Sequence, residues 1–381
     1  MSKYPKIEKL FSRLGNIGNF IIITVVFLVI GHYLIGFADL VVTSFGEDHR
    51  GASPAYDNYL DRKEFWKEQR KLQRVLFEPY YHWTQPEHVG QYINIDSQGV
   101  RKTVKDPDVK GEKKIFMFGG STLWGQGSPD ESTIPSILQS HMGDTYDVYN
   151  YGEDGFVSTQ ELNYLLHQLS LGNIPDAVIF YDGVNDGYAG VYSPAIPRDP
   201  QNLRMDYLNK GENGFVQWVA QSNYGKFAKY VVRMMRGGNS GSEEWDKKIK
   251  PNIRMNAGNV VKMYEAHIKQ VQALAKEYQF EAFFFWQPNL FSQTKKRLAH
   301  YESEIIRKAP PTFVESQYQV YLKSKKAFSK REKEKIFFIG NVFDDVEQPV
   351  YFDWCHIGPG GNRLIADKII FLVGEKIRNL S

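Results

Sequence analysis

The sequence predicts a three-layer α/β/α domain on about five parallel strands, preceded by one transmembrane helix. Three observations carry this. From Lys114 onward, short apolar runs alternate with amphipathic stretches, the pattern of a parallel sheet covered on both faces. Several runs end on Gly, Asn or Ser, and open α/β sheets bind ligands at the carboxyl ends of their strands. Residues 17–45 form one long apolar stretch at the amino terminus.

That stretch comes first in the chain. Between Phe20 and Ala38 it contains Thr24 and His32 but no Asp, Glu, Lys or Arg, and it is long enough to cross a bilayer as a helix. Lys3, Lys6, Lys9 and Arg13 precede it, which favours a cytoplasmic tail over 1–16. The rest of the chain would then be periplasmic or extracellular, as in a single-pass membrane protein. A cleaved signal peptide is the rival, with Gly36-Phe37-Ala38 as its cleavage site, but the apolar run continues past that point to Val42. Residues 46–113 read as a linker, an amphipathic helix over 59–77 and an entry segment with a strand over 92–96. The helix carries Leu60, Phe65, Trp66, Leu72, Val75 and Leu76, and its apolar face should pack on the domain.

The domain proper spans 114–381. Strands are expected at 115–118, 147–150, 177–181, 282–286 and 336–339, and helices at 134–141, 159–171, 257–278 and 363–377. Residues 193–256 interrupt the alternation with Pro, Gly, Asn, Trp and Lys, and read as an insertion over the active-site rim. Residues 288–335 are mostly helical in pattern.

Composition narrows the function. The 47 Lys and Arg against 44 Asp and Glu give a net charge of +3, so nothing requires nucleic acid as a partner. The single cysteine, Cys355, cannot close an internal disulfide. No structural-zinc spacing, dinucleotide fingerprint or phosphate loop is present, and no metal or cofactor is expected.

Four blocks carry chemistry. Gly119-Gly120-Ser121-Thr122 follows the first strand. Asn150-Tyr151-Gly152-Glu153-Asp154-Gly155 and Gly183-Val184-Asn185-Asp186 follow the next two, and Asp353-Trp354-Cys355-His356 lies far downstream. A serine hydroxyl becomes a nucleophile only beside a base. His356 is the candidate base, and Asp353, three residues earlier, can curl back to orient its ring. Alone, Ser121 reads as a helix cap and Asn185 as a turn residue.

Together and in this order, the four blocks resemble the SGNH hydrolase superfamily of GDSL-like esterases and lipases. The likeness runs from Ile115 to about Ile377, with a large unmatched stretch in the middle. It implies a flavodoxin-like α/β/α domain and a Ser121–His356–Asp353 triad. It also implies an oxyanion hole from the backbone N–H of Ser121, the backbone N–H of Gly155 and the side-chain amide of Asn185. The family's spacing favours Gly155 over Gly152. Gly120 departs from the family's usual Gly-Asp-Ser by replacing the acid. Trp124, Gln287 and Trp354 are candidates for lining the cleft, and Asp186 is expected to brace its loop.

The activity implied is acyl transfer from an oxygen ester, with an O-acylated cell-envelope or exported glycan, or a small ester, as substrate. Transfer of the acyl group onto a polysaccharide would use the same triad. A non-catalytic envelope protein that binds glycan or a membrane partner in envelope biosynthesis is the reading from another class.

Overall fold

A computed structural model describes residues 24, 26–37, 50–56, 59, 61–72, 75–106, 108, 110–192, 222–224, 250–292 and 294–380. The chain divides into two compact units, one of residues 1–47 and 206–243, the other of 48–205 and 244–381. In the first unit the described part of the amino-terminal apolar stretch is helical. Phe27, Tyr33, Leu34 and Phe37 are exposed on it. Tyr224 donates its hydroxyl to the Leu28 carbonyl, and Asn223 Nδ2 donates to the His32 carbonyl at 3.0 Å. No helix among the described residues is long and apolar enough to cross a membrane. The rest of 17–45, the tail over 1–16, and residues 193–221 and 225–249 of the expected insertion lie outside the described residues.

The second unit opens with α1 (Arg62–Gln69), continued by a 3-10 turn over Arg70–Leu72. Two small antiparallel pairs follow, β1 (Leu76–Glu78) with β2 (His82–Thr84) and β3 (His88–Val89) with β4 (Asn94–Ile95). The expected helix over 59–77 is therefore shorter, because its last apolar residues, Leu76 and Phe77, pair as strand with Thr84 and Trp83. The expected strand over 92–96 shrinks to β4.

The central sheet has five strands, all parallel: β5 (Lys113–Gly119), β6 (Tyr146–Gly152), β7 (Ala177–Asp182), β8 (Glu281–Trp286) and β9 (Ile336–Phe338). Their spatial order is β6-β5-β7-β8-β9. This is the doubly wound order in which the chain reverses its winding between β5 and β7, and ligands bind at such a switch point. Side chains alternate across the sheet. Phe116, Phe118, Val178, Phe180 and Phe284 enter one core, while Ile115, Met117, Ile179, Phe283 and Phe285 enter the other.

The first face is covered by α4 (Ser158–Ser170), α6 (Ile253–Tyr278) and α8 (Pro311–Phe328), which supply Leu165, Val260, Tyr264 and Val320. The second is covered by α3 (Ile134–Met142) and α9 (Pro359–Ile369), which supply Ile137, Leu138, Ile365 and Ile369. Two short helices stand at strand ends, α2 (Ser121–Trp124) after β5 and α5 (Val184–Tyr192) after β7. The expected helix over 363–377 begins at Pro359, where proline's fixed φ suits a first turn, and passes through a π-helical turn at Ile370–Gly374.

A third apolar cluster joins the entry segment to the loops that carry Ser121 and His356. Tyr56, Phe65, Trp66, Leu72, Tyr92, Ile93 and Ile95 pack with Trp124 and Phe352. The apolar face of α1 thus packs against the residues that follow Ser121 and precede His356.

Candidate active site

β5 ends at Gly119, and the chain turns through Gly120 into α2, so Ser121 is the first helical residue. Gly125, at φ 98°, ends that single turn. Ser121 Oγ lies 2.7 Å from His356 Nε2, and His356 Nδ1 lies 2.7 Å from Asp353 Oδ2. The other Asp353 oxygen accepts the backbone N–H groups of Cys355 at 2.9 Å and His356 at 2.7 Å. Asp353 thus turns back over three residues, capping its own loop with one oxygen and bonding the His356 ring with the other. Phe352 stacks on the His356 ring, with centroids 5.6 Å apart and planes 10° from parallel.

The pair shifts each other's protonation. Burial alone would raise the Asp353 carboxyl, but the charge and hydrogen bonds of His356 outweigh it and hold it below the ordinary value. Burial alone would lower His356, but the Asp353 carboxylate and the nearby Asp154 raise it above its ordinary value. Cys355 is buried, and that burial pushes its thiol well up. Asp353, Cys355 and His356 have donor atoms within 4.8 Å of one another, as a metal site would. Here both His356 nitrogens are engaged by Ser121 and Asp353, so the three side chains form one hydrogen-bonded chain.

The candidate oxyanion donors come from the three segments that leave β5, β6 and β7. Neither the Ser121 N–H nor the Gly155 N–H donates to an acceptor among the described residues. Gly155 sits at φ 77°, a conformation that favours glycine. Asn185, near the start of α5, donates one amide hydrogen to the Phe156 carbonyl at 2.8 Å, which leaves its second hydrogen to aim elsewhere. Gly152 has another task. A Cβ there would lie 2.5 Å from the Trp124 backbone nitrogen, so its bare Cα lets β6 approach α2. Asn150 completes that contact, donating to the Trp124 carbonyl at 3.2 Å and accepting the Gly152 N–H at 3.1 Å.

Two expected cleft residues are elsewhere. Trp124 is 1% exposed and lies in the third apolar cluster, with the Arg101 guanidinium 4.3 Å above its ring. Gln287 is buried and accepts the Thr122 hydroxyl at 2.7 Å, so it supports α2 from beneath. Both sit where apolar contacts or hydrogen-bond partners under the loops outweigh exposure. Trp354 is part-exposed and joins an aromatic group: Phe291 lies parallel to it at 5.7 Å, Phe313 meets it edge-on at 5.0 Å and Tyr188 is 6.5 Å away.

Some site residues escape the sequence reading. Arg101 is 1% exposed and pairs with Asp130 at 3.0 Å. It also donates to the carbonyls of Trp124 at 3.0 Å, Gly125 at 2.8 Å and Ser128 at 2.6 Å. One guanidinium thus holds three carbonyls of the turn after Ser121. A lone arginine in a polar entry segment carries no signal of this, because its partners lie far along the chain. Glu153 is also buried, accepting the Thr84 hydroxyl at 2.8 Å and the Gln85 N–H at 3.3 Å, and burial pushes its carboxyl well up. It ties β2 to the loop that carries Gly155.

No protein-family model matches the chain, and no curated protein matches it. Among solved structures, it is similar to a putative lipolytic protein of the G-D-S-L family from Desulfitobacterium hafniense, at 11% identity and a TM-score of 0.38, over 68% of this chain and 99% of that one. A carbohydrate acetylesterase family member from Sinorhizobium meliloti aligns at 15% identity and 0.36, over 69% and 99%. Axe2, an acetylxylan esterase from Geobacillus stearothermophilus, aligns at 12% identity and 0.36, over 70% and 96%.

Proposed function

We propose that this chain is a serine esterase of SGNH type. The observation that carries the reading is the Ser121–His356–Asp353 relay, two bonds of 2.7 Å each, beside two unengaged backbone N–H groups. In the forward half-reaction Ser121 Oγ attacks the ester carbonyl carbon and its proton passes to His356 Nε2. The carbonyl oxygen becomes an oxyanion held by Ser121 N–H, Gly155 N–H and Asn185 Nδ2. His356 then protonates the departing alcohol as the C–O bond breaks, leaving acyl-Ser121. Water attacks that acyl group with His356 again as base, which releases the acid and restores the serine. No metal or cofactor enters any step.

The substrate proposed is a cell-envelope or exported glycan bearing O-acetyl or other O-acyl groups. Support comes from the aromatic group at Trp354, two residues before His356, and Tyr188, one turn after Asn185, because such faces suit sugar rings. Anchoring through residues 17–45, with the catalytic unit outside the cytoplasm, is part of the same proposal. Its support is the exposed apolar side chains of the described amino-terminal helix, Phe27 and Phe37 among them.

The test is labelling with a fluorophosphonate, wild type beside Ser121→Ala, together with turnover of an aryl acetate. Labelling and turnover in the wild type, both lost in the variant, are expected. A wild type inert to both would overturn the hydrolase reading in favour of a binding protein.

A further inference from the structure

A second serine, histidine and aspartate meet beneath the site. Ser158 Oγ lies 2.5 Å from Asp186 Oδ1 and 2.7 Å from His267 Nδ1. The Ser158 backbone N–H also donates to Asp186, at 3.2 and 3.3 Å to its two oxygens. The three residues are 2%, 4% and 8% exposed, so substrate cannot reach them. Their bonding is coherent without a reaction. With Asp186 ionised, it accepts the Ser158 hydroxyl proton, Ser158 Oγ accepts from His267 Nδ1–H, and His267 Nε2 accepts from Thr159 at 3.4 Å; burial raises the Asp186 carboxyl, and the bonds from Ser158 and the His267 charge work against that rise.

The places of these residues in the chain give the cluster its meaning. Ser158 begins α4, three residues after Gly155, and Asp186 directly follows Asn185 in the first turn of α5. His267 projects from the middle of α6. The Asp186–Ser158 bonds therefore join the segment that carries one oxyanion donor to the segment that carries another. A carboxylate at the amino end of α4 is also favoured by the N–H groups exposed there. Asn185 Nδ2 makes a second side-chain link between these segments, at Phe156.

We infer that Asp186 is a positioning residue for the oxyanion hole, fixing the distance between Gly155 N–H and Asn185 Nδ2 through its bonds to Ser158. The inference rests on the esterase reading above. A displacement of the donors by about 1 Å is enough to cost catalysis heavily, so this brace should act on turnover more than on binding.

A double-mutant cycle on an aryl acetate tests it. Asp186→Asn keeps the shape but cannot accept both Ser158 donors equally well. It should lower kcat by about tenfold to a hundredfold with KM within about twofold, since the lost interaction belongs to the transition state. If Asp186 acts through Asn185, its effect should shrink in an Asn185→Ala background, by about tenfold. Ser158→Ala, which removes the hydroxyl link and keeps the backbone N–H, should show the same pattern more mildly and serves if Asp186→Asn does not fold. Equal losses in both backgrounds, or a folded Asp186→Asn with unchanged kcat, would overturn the positioning role while leaving the esterase standing. A wild type without esterase activity would overturn both.

Discussion

A Cβ on Gly120 would lie 2.2 Å from the Nδ2 of Asn185. The backbone of Gly120 itself is extended, at φ −80°, so no conformational strain demands glycine there. The demand is space. A side chain on the residue before Ser121 and the Asn185 amide would occupy the same volume, so this packing leaves room only for glycine at 120.

Gly120→Ala should therefore push the Asn185 side chain off its bond to Phe156 and out of line with the oxyanion. The obstructing atom is the end of a flexible side chain, so the fold should survive. Turnover of an aryl acetate should fall by about two to three powers of ten, the cost of losing one oxyanion donor. Steady-state kinetics beside a thermal melt would check it, and an unchanged kcat would show that Asn185 is not a donor.

The pH profile should rise later than an ordinary histidine predicts. Catalysis needs neutral His356, and the Asp353 and Asp154 charges raise that group above its ordinary 6.5. The midpoint of kcat/KM against pH should thus lie above 6.5, and Asp154→Asn should move it down. Stability runs the other way. A raised histidine stabilises the fold below its unfolded pKa, about 6.5, and that contribution is lost as pH rises through the folded value. Activity should consequently increase across the window in which this contribution to stability declines. A midpoint at or below 6.5 would refute the coupling.

Arg101→Met should be among the most damaging substitutions away from the triad. It leaves Asp130, whose side chain is 6% exposed, without its guanidinium, and it strips the carbonyls of Trp124, Gly125 and Ser128 of a donor. Breaking a buried pair on one side costs about 3–5 kcal/mol. Chemical denaturation would measure this. The double variant Arg101→Met/Asp130→Leu should recover part of the loss in stability, but not the turnover, since the Gly125 and Ser128 carbonyls after Ser121 stay without the guanidinium.

The sheet was legible because most of its strands are short apolar runs, and turn residues follow them; β6, with Asp147 and Asn150 within it, is the exception. Phe116 and Ile115 had only to choose opposite faces, and alternation makes that choice. That Ser121, His356 and Asp353 meet was legible for a related reason: Asp353 and His356 are close in sequence, and Ser121 ends a strand. Arg101 was not, and neither were Ser158 and His267 as partners of Asp186, although Asp186 itself was expected to brace its loop. Their partners are tens to hundreds of residues apart and are chosen by packing, which leaves no local pattern. Trp124 failed in the opposite direction, since closeness to Ser121 in sequence suggested the cleft while its apolar ring found Phe65 and Phe352 in the core.

A truncated chain beginning at Asp48 should fold and retain full turnover of a small ester. Every residue of the relay and of the oxyanion hole belongs to the unit of residues 48–205 and 244–381. Circular dichroism and aryl acetate kinetics on the truncated protein would show it. Loss of activity with the fold intact would mean that the amino-terminal residues contribute to the site.

Asp353→Asn isolates the last link of the relay. The amide keeps the size of the side chain, so the loop can close as before. Its Oδ1 can still accept the N–H groups of Cys355 and His356, as the carboxylate does at 2.9 and 2.7 Å. At the other position an NH2 would replace Oδ2 and face His356 Nδ1. That favours the tautomer with Nδ1 bare and Nε2 protonated, which cannot take the proton of Ser121. Turnover should fall by about four powers of ten, less than the loss of about six in Ser121→Ala or His356→Ala. Combining Asp353→Asn with Ser121→Ala should add almost nothing, because the three groups work as one unit. Losses that multiply in the double variant would show that Asp353 acts by another route than through His356.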